Sequence, residues 1–143
     1  MRALLGFACV VVLGCTGSRA GEREVVGALH GYAERLKAMD TKGLAGTYTE
    51  DGEASSVGGP TLRGPAQIEA HLATFSAFHV LEASMEPDST RVEGASAHQE
   101  GTYAQRVTLP GGETVQVHGR FVADWQKVGD QWRLRRLQTI PST

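Results

Sequence analysis

From Phe78 onward the apolar residues recur at every second position, and no other feature of the chain limits its fold as tightly. A period of two puts alternate side chains on opposite faces of a strand. Four long strands are expected: Phe78–Pro87 with an extension toward Val92, Ala95–Leu109, Glu113–Val128 and Gln131–Ile140. Gly111-Gly112 and Gly129-Asp130 supply hairpin turns between them. Strands joined by such short connections must pair antiparallel, so the second half of the chain reads as a meander.

The first half carries the helical period instead. Within Glu22–Met39, the residues Val25, Leu29, Tyr32, Leu36 and Met39 recur at spacings of four and three, which gathers them on one helix face. Asp40 can cap a second, shorter helix with Leu44 and Tyr48 turned inward. Glu50-Asp51-Gly52 ends it. A short strand, Glu53–Val57, is turned by Gly58-Gly59-Pro60 into Thr61-Leu62-Arg63. Gly64-Pro65 opens a third helix whose apolar face is Ile68, Leu72 and Phe75, since proline is tolerated in a first helical turn. Helices first and a meander afterwards is an α+β pattern. The expected architecture is a cone-shaped, curved antiparallel sheet with three N-terminal helices packed on its concave face, closing over a pocket.

Ahead of this domain stands a segment of another kind. Arg2 is followed by the eleven residues Ala3–Leu13, none of them polar. As a helix such a run rises only about 16 Å, against a bilayer core of roughly 30 Å. That length suits the apolar region of an export signal. The segment ends in Val12-Leu13-Gly14-Cys15, which resembles the bacterial lipobox. Residues 1–14 then read as a lipoprotein signal peptide, residues 15–21 as a lipidated Cys15 and a small, polar tether, and residues 22–141 as the folded domain. An ordinary cleaved signal with an incidental cysteine is the alternative. Cys9 would leave with the signal, and lipidation would account for the single thiol that remains. The lipobox resemblance implies a bacterial cell-envelope protein that meets the membrane through its anchor alone, with the domain in the periplasm or outside. In a Gram-negative host it implies outer-membrane sorting, because Thr16 and not aspartate follows the cysteine.

Charge excludes some functions. The 143 residues carry 14 Lys and Arg against 16 Asp and Glu, with the signs interspersed. A nucleic-acid binder would concentrate basic residues on one face. Neither a Gly-x-Ser-x-Gly elbow, a P-loop nor a dinucleotide fingerprint occurs, and no cofactor is expected. His30, His71, His79, His98 and His118 show no metal-ligand spacing. By strand parity His98 and His118 face outward, while His71 can reach a pocket mouth. Arg120 and Asp124 share the outer face of one strand, where ordinary cross-strand pairing is the expectation.

The element order resembles that of the nuclear transport factor 2-like superfamily. Met39-Asp40-Thr41-Lys42-Gly43-Leu44, Tyr48-Thr49-Glu50-Asp51-Gly52 and Leu62-Arg63-Gly64-Pro65-Ala66-Gln67-Ile68 are similar to the front half of its SnoaL-like and ketosteroid-isomerase-like branches. Gly119–Lys127 and Asp130–Leu134 are similar to its end. The resemblance implies fold more than activity, because the same fold hosts isomerases, hydrolases, dehydratases and oligomerisation modules. For ketosteroid isomerisation it implies three positions: a tyrosine at Tyr32, a carboxylate base where this chain has Ser56, and a protonated acid on or near Ala123. A serine hydroxyl without an activating partner cannot replace the base. No catalytic set is therefore assigned.

The candidate pocket residues are Tyr32, Ser56, Leu72, Tyr103, Phe121, Trp125, Arg136 and Gln138. Parity puts Phe121, Ala123 and Trp125 on one strand face and Trp132, Leu134, Arg136, Gln138 and Ile140 on one face of the last strand, and the resemblance implies that these are the concave faces. Tyr32 reads either as a pocket donor or as a core aromatic whose hydroxyl finds a partner. Arg136 and Gln138 would contact a polar or anionic ligand, or Arg136 would pair with a rim carboxylate such as Asp40 or Glu50, because an enclosed polar group needs a partner. The expected partner is a small apolar or weakly acidic molecule. An isomerase- or hydrolase-type enzyme working in the cone and a structural homodimer are the competing readings.

Overall fold

The structure is a computed structural model that describes residues 16–143. The signal segment and Cys15 lie outside the described residues. Helix α1 spans Thr16–Lys37, α2 Thr41–Gly46 and α3 Gly64–Ala73. The strands are β1 (Tyr48–Ser56), β2 (Thr61–Arg63), β3 (His79–Glu93), β4 (Ser96–Thr108), β5 (Thr114–Val128) and β6 (Gln131–Pro141). They form one sheet in the order β2-β1-β6-β5-β4-β3. The expected meander is present, with a parallel contact added: β1 runs alongside β6 in the same direction, while the other neighbours are antiparallel.

The helices cover one face of this sheet. On α1, Val25 and Leu29 are fully buried and Tyr32 nearly so, as the spacing predicts; Leu36 is half-buried, and Ala33 joins the buried face. The helix begins at Thr16, six residues before Glu22, and ends sooner than expected. Met39 lies beyond its end with φ at +50°. There the backbone N–H groups of Met39 and Asp40 reach back to the Leu36 and Arg35 carbonyls. This satisfies carbonyls that a helix end leaves unpaired. Asp40 caps α2 by accepting from the Gly43 N–H at 3.0 Å. Tyr48 is buried as expected, but it opens β1 and does not close α2. Phe75 also differs from its expected place: α3 ends at Ala73, and Phe75 sits in the following turn, 37% exposed, edge-on to His71 and Phe78.

One irregularity in β6 decides where the polar residues of the sheet go. Trp125 pairs with Leu134 and Asp124 with Arg136, so Arg135 has no register partner on β5. The same residue is skipped on the β1 side, between the pairs Tyr48–Leu134 and Glu53–Arg136. One extra residue moves every later side chain to the other face. Leu134 and Leu137 are both buried, and Arg135 and Arg136 between them are both exposed. Arg136, Gln138 and Ile140 are therefore not inside the cone with Trp132 and Leu134. Arg136 stands opposite Asp124, and Gln138 opposite Val122, on the outer face. Thr139, opposite Phe121, turns inward in their stead.

The deep end of the cone is solid core. Phe121 and Ala123 are fully buried, Trp125 is 1% exposed, and Gln99 is fully buried among them. The Trp125 indole N–H donates to Gln99 Oε1 at 2.9 Å, and Gln99 Nε2 donates to Thr90 Oγ1 at 3.0 Å. A buried polar network of this kind is stable only when it is fully satisfied. Gln99→Leu keeps the volume and strands the indole N–H. We expect it to cost about 1–3 kcal/mol, read as a lower urea midpoint with an unchanged slope. An unchanged midpoint would mean that the indole has another partner.

Candidate functional site

At the open end, between α3, β1, β2 and β6, lies a pocket of about 190 Å³. Its walls are mainly apolar and include Leu62, Ile68, Leu72 and Leu137. The polar groups that reach it come from Tyr32, Tyr48, Ser55, Ser56, His71 and Thr139. No carboxylate, lysine or arginine is among the described residues lining it. Each donor is placed by a feature of the fold. Tyr32 occupies the inward face of α1, Tyr48 the first residue of β1 and His71 the last turn of α3. Ser56 and Thr139 are register partners across the parallel β1–β6 pair.

The two tyrosines meet. Their hydroxyls are 3.0 Å apart and their rings are edge-on at 6.0 Å. Burial raises the pKa of both: Tyr32 is pushed above the ordinary phenol value of 10.0, with the Tyr48 hydrogen bond pulling the other way, and Tyr48 is pushed well above it. Either hydroxyl can donate to the other. A two-hydroxyl chain uses one O–H internally and leaves the other free to donate, so the pair can serve one acceptor in the pocket that both tyrosines line. The internal bond polarises the outer one.

These shifts carry a stability consequence. A phenol whose folded pKa lies above its unfolded value favours the folded state while it stays protonated, so the contribution is complete below pH 10.0 and is lost as pH rises beyond it. Tyr103, also raised by burial, acts in the same direction. The melting temperature should fall steeply above about pH 10, with tyrosinate absorbance rising together with unfolding. Titration of all three phenols in the intact fold would overturn this.

The pocket brings together three of the eight expected residues, Tyr32, Ser56 and Leu72. Tyr103, Phe121 and Trp125 face inward as expected, yet they are packed into the core and do not line the pocket. Arg136 and Gln138 are on the other side of the sheet, for the reason given by the bulge. Arg136 has neither Asp40 nor Glu50 as a partner; its register neighbours are Glu53 and Asp124. With Arg136 goes the ground for an acidic ligand in the cone. Tyr48 and Thr139 line the pocket without having been anticipated there. Tyr48 was legible only as a buried aromatic, and Thr139 only after the bulge is known.

On the outer face, Asp124 pairs with His98 Nδ1 at 2.6 Å, and Glu100 lies 3.2 Å from Nε2. The Asp124 hydrogen bond raises the His98 pKa, against partial burial and with help from Glu100. Arg120 pairs with Asp88 at 2.9 Å. Asp124 thus pairs with its register neighbour on β4, as ordinary cross-strand pairing predicts, whereas Arg120 reaches past β4 to Asp88 on β3. Among the described residues no group of three or more His, Cys, Asp or Glu side chains is placed to hold a metal ion.

A curved six-stranded sheet covered by helices on one side is the architecture of the nuclear transport factor 2-like fold. A SnoaL-like domain model matches residues 19–138, and the chain belongs to that family. The solved structures agree on the fold. An NTF2-like protein with a cystatin-like fold from Novosphingobium aromaticivorans is 20% identical, with a TM-score of 0.74 over 86% of this chain and 83% of its own. A ketosteroid isomerase-like protein from Erwinia carotovora atroseptica is 17% identical, with a TM-score of 0.74 over 85% of this chain and 98% of its own. A candidate scytalone dehydratase from Novosphingobium aromaticivorans is 16% identical, with a TM-score of 0.77 over 87% of this chain and 86% of its own. No curated protein matches the sequence.

Proposed function

We propose that the domain binds a compact, mostly apolar molecule carrying one hydrogen-bond-accepting oxygen, and that it does so at the bacterial cell envelope on a lipid attached to Cys15. The observation that carries the binding reading is the buried Tyr32–Tyr48 hydroxyl pair on an otherwise largely apolar wall. Apolar walls with a few fixed polar groups are the usual design of a small-molecule site. The pocket's 190 Å³ is below the roughly 300–1,000 Å³ of a drug-sized site. The ligand is accordingly small. A panel of compact cyclic ketones and phenols, screened by thermal shift, tests this. A binder should stabilise wild type in proportion to the logarithm of its concentration. Tyr32→Phe removes one hydrogen bond and should weaken binding by about 0.5–1.5 kcal/mol. A ligand that binds wild type and Tyr32→Phe alike is not held by the pair.

His71 favours a second reading. It is the one histidine among the described pocket residues and shares the pocket with the tyrosine donors. An imidazole can move a proton while hydroxyl donors stabilise charge developing on an oxygen. This makes an isomerase- or hydrolase-type enzyme the alternative to simple binding. Turnover of a bound compound by wild type, abolished in His71→Ala while binding persists, would decide for catalysis.

The anchor rests on the sequence of residues 1–15. The mature protein should begin at Cys15 and carry lipid, and Cys15→Ala should leave it unprocessed or released from the membrane. Mass spectrometry finding an intact Met1 on exported protein would refute the anchor without touching the pocket.

A further inference from the structure

The outer face of the sheet carries a row of charged residues that crosses all six strands. Arg63 is opposite Glu53, Glu53 opposite Arg136, Arg136 opposite Asp124, Asp124 opposite His98 and His98 opposite Arg91. These side chains line an open groove of about 690 Å³, which Arg135 also borders. Most of the row is internally paired. Arg63 holds Glu53 at 2.6 Å, His98 holds Asp124 at 2.6 Å, and Arg91 lies 3.9 Å from Glu93. Arg135 and Arg136 are the exception: neither makes an ion pair or a side-chain hydrogen bond among the described residues.

The bulge is what sets them side by side. In a regular strand consecutive residues face opposite ways, and one of the two arginines would be buried. Here both are exposed between the buried Leu134 and Leu137. Bulges recur where a sheet re-aims a side chain toward a function. Two adjacent guanidinium groups repel each other and add nothing to the core; Arg136 has the register neighbours Glu53 and Asp124 but bonds to neither. Their facing carboxylates, Glu53 and Asp124, are already occupied by Arg63 and His98. Two forks of N–H donors with no acceptor of their own match the oxygens of a phosphate group, because planar guanidinium groups bind such oxyanions bidentately.

We propose that this groove is a second binding site, separate from the tyrosine pocket, that takes a phosphate-bearing ligand through Arg135 and Arg136. The phosphate could belong to a soluble phosphomonoester or to a phospholipid headgroup, and the experiment separates the two. The full chain carrying Cys15→Ser, so that no lipid is attached, is compared with the same chain also carrying Arg135→Gln and Arg136→Gln. Both arginines are exposed, so unliganded melting temperatures should agree and serve as the control for folding. One arm titrates inorganic phosphate and follows the arginine side-chain N–H signals by NMR. The other sediments the protein with phosphatidylglycerol vesicles, using phosphatidylcholine vesicles as the neutral comparison.

Loss of two charged donors should weaken binding roughly tenfold or more. Phosphate binding that the double substitution removes assigns a soluble ligand. Sedimentation with phosphatidylglycerol that the substitution removes, without binding of free phosphate, assigns a headgroup. Absence of binding in both arms, or equal binding by both proteins, overturns the proposal. So does a dimer that the double substitution turns into a monomer without changing anion binding, because the arginines would then be serving a second copy of the chain. None of these outcomes depends on the tyrosine pocket.

Discussion

Replacing Trp125 by alanine should lower the unfolding free energy by about 3–5 kcal/mol, a large share of the roughly 5–15 kcal/mol available to a domain. The side chain is 1% exposed and belongs to the buried core cluster of the domain. Truncation empties that volume and also leaves the Gln99 carbonyl oxygen without its donor. The loss is therefore a cavity plus an unpaired buried acceptor. Trp132→Ala provides the comparison. Trp132 is 8% exposed and donates at 3.1 Å to Glu24, whose carboxylate is exposed to solvent. Its indole hydrogen bond also holds the Glu24 pKa below the usual carboxylate value, with Lys127 assisting. Water can replace that partner when the indole is removed. Trp132→Ala should still destabilise strongly, but less than Trp125→Ala. Chemical denaturation of the two variants in parallel checks the order, and a larger loss at Trp132 would mean that the core is centred nearer the β5–β6 turn.

Much of this architecture is written in local patterns. The four strands lie within a few residues of where the period of two places them, because a strand half-buried against helices must alternate. The Asp40 cap was legible for a similar reason: a capping side chain acts within its own turn. The site was less legible because it depends on one residue of register. Strict alternation through Gln131–Ile140 sends Arg136 and Gln138 into the cone, and the bulge at Arg135 sends them out. A signal was present. Trp132, Leu134 and Leu137 are spaced two and then three, and the two residues between the leucines are both arginines. A strand that must bury both leucines has to absorb the extra residue somewhere. The Tyr32–Tyr48 contact is different again. It joins a helix to a strand across 16 residues, and nothing local announces that two buried aromatics will share a hydrogen bond.

Gly101→Ala should be nearly as damaging as losing the tryptophan, although it adds only a methyl group. Gly101 is buried on β4, between Pro87 on β3 and Phe121 on β5 in register. A Cβ there would overlap the Glu86 carbonyl oxygen and come within 2.8 Å of both Phe121 Cε1 and Pro87 Cα. Two of these three atoms are backbone, so rotating a side chain cannot relieve the contact. The third belongs to a fully buried ring with no space to retreat into. The ladder must instead part at the point where β3 is already irregular, between Pro87 and Ser89. Overpacking of a filled core typically costs about 1–3 kcal/mol, and a backbone obstacle places this site at or above the upper end. Gly111→Ala is the control: it lies in the hairpin turn, and its added methyl meets nothing within 4 Å. A melting temperature lowered in Gly101→Ala and preserved in Gly111→Ala would show that the β3–β4–β5 approach is as tight as described. Equal melting temperatures would require these strands to be spaced further apart at Gly101.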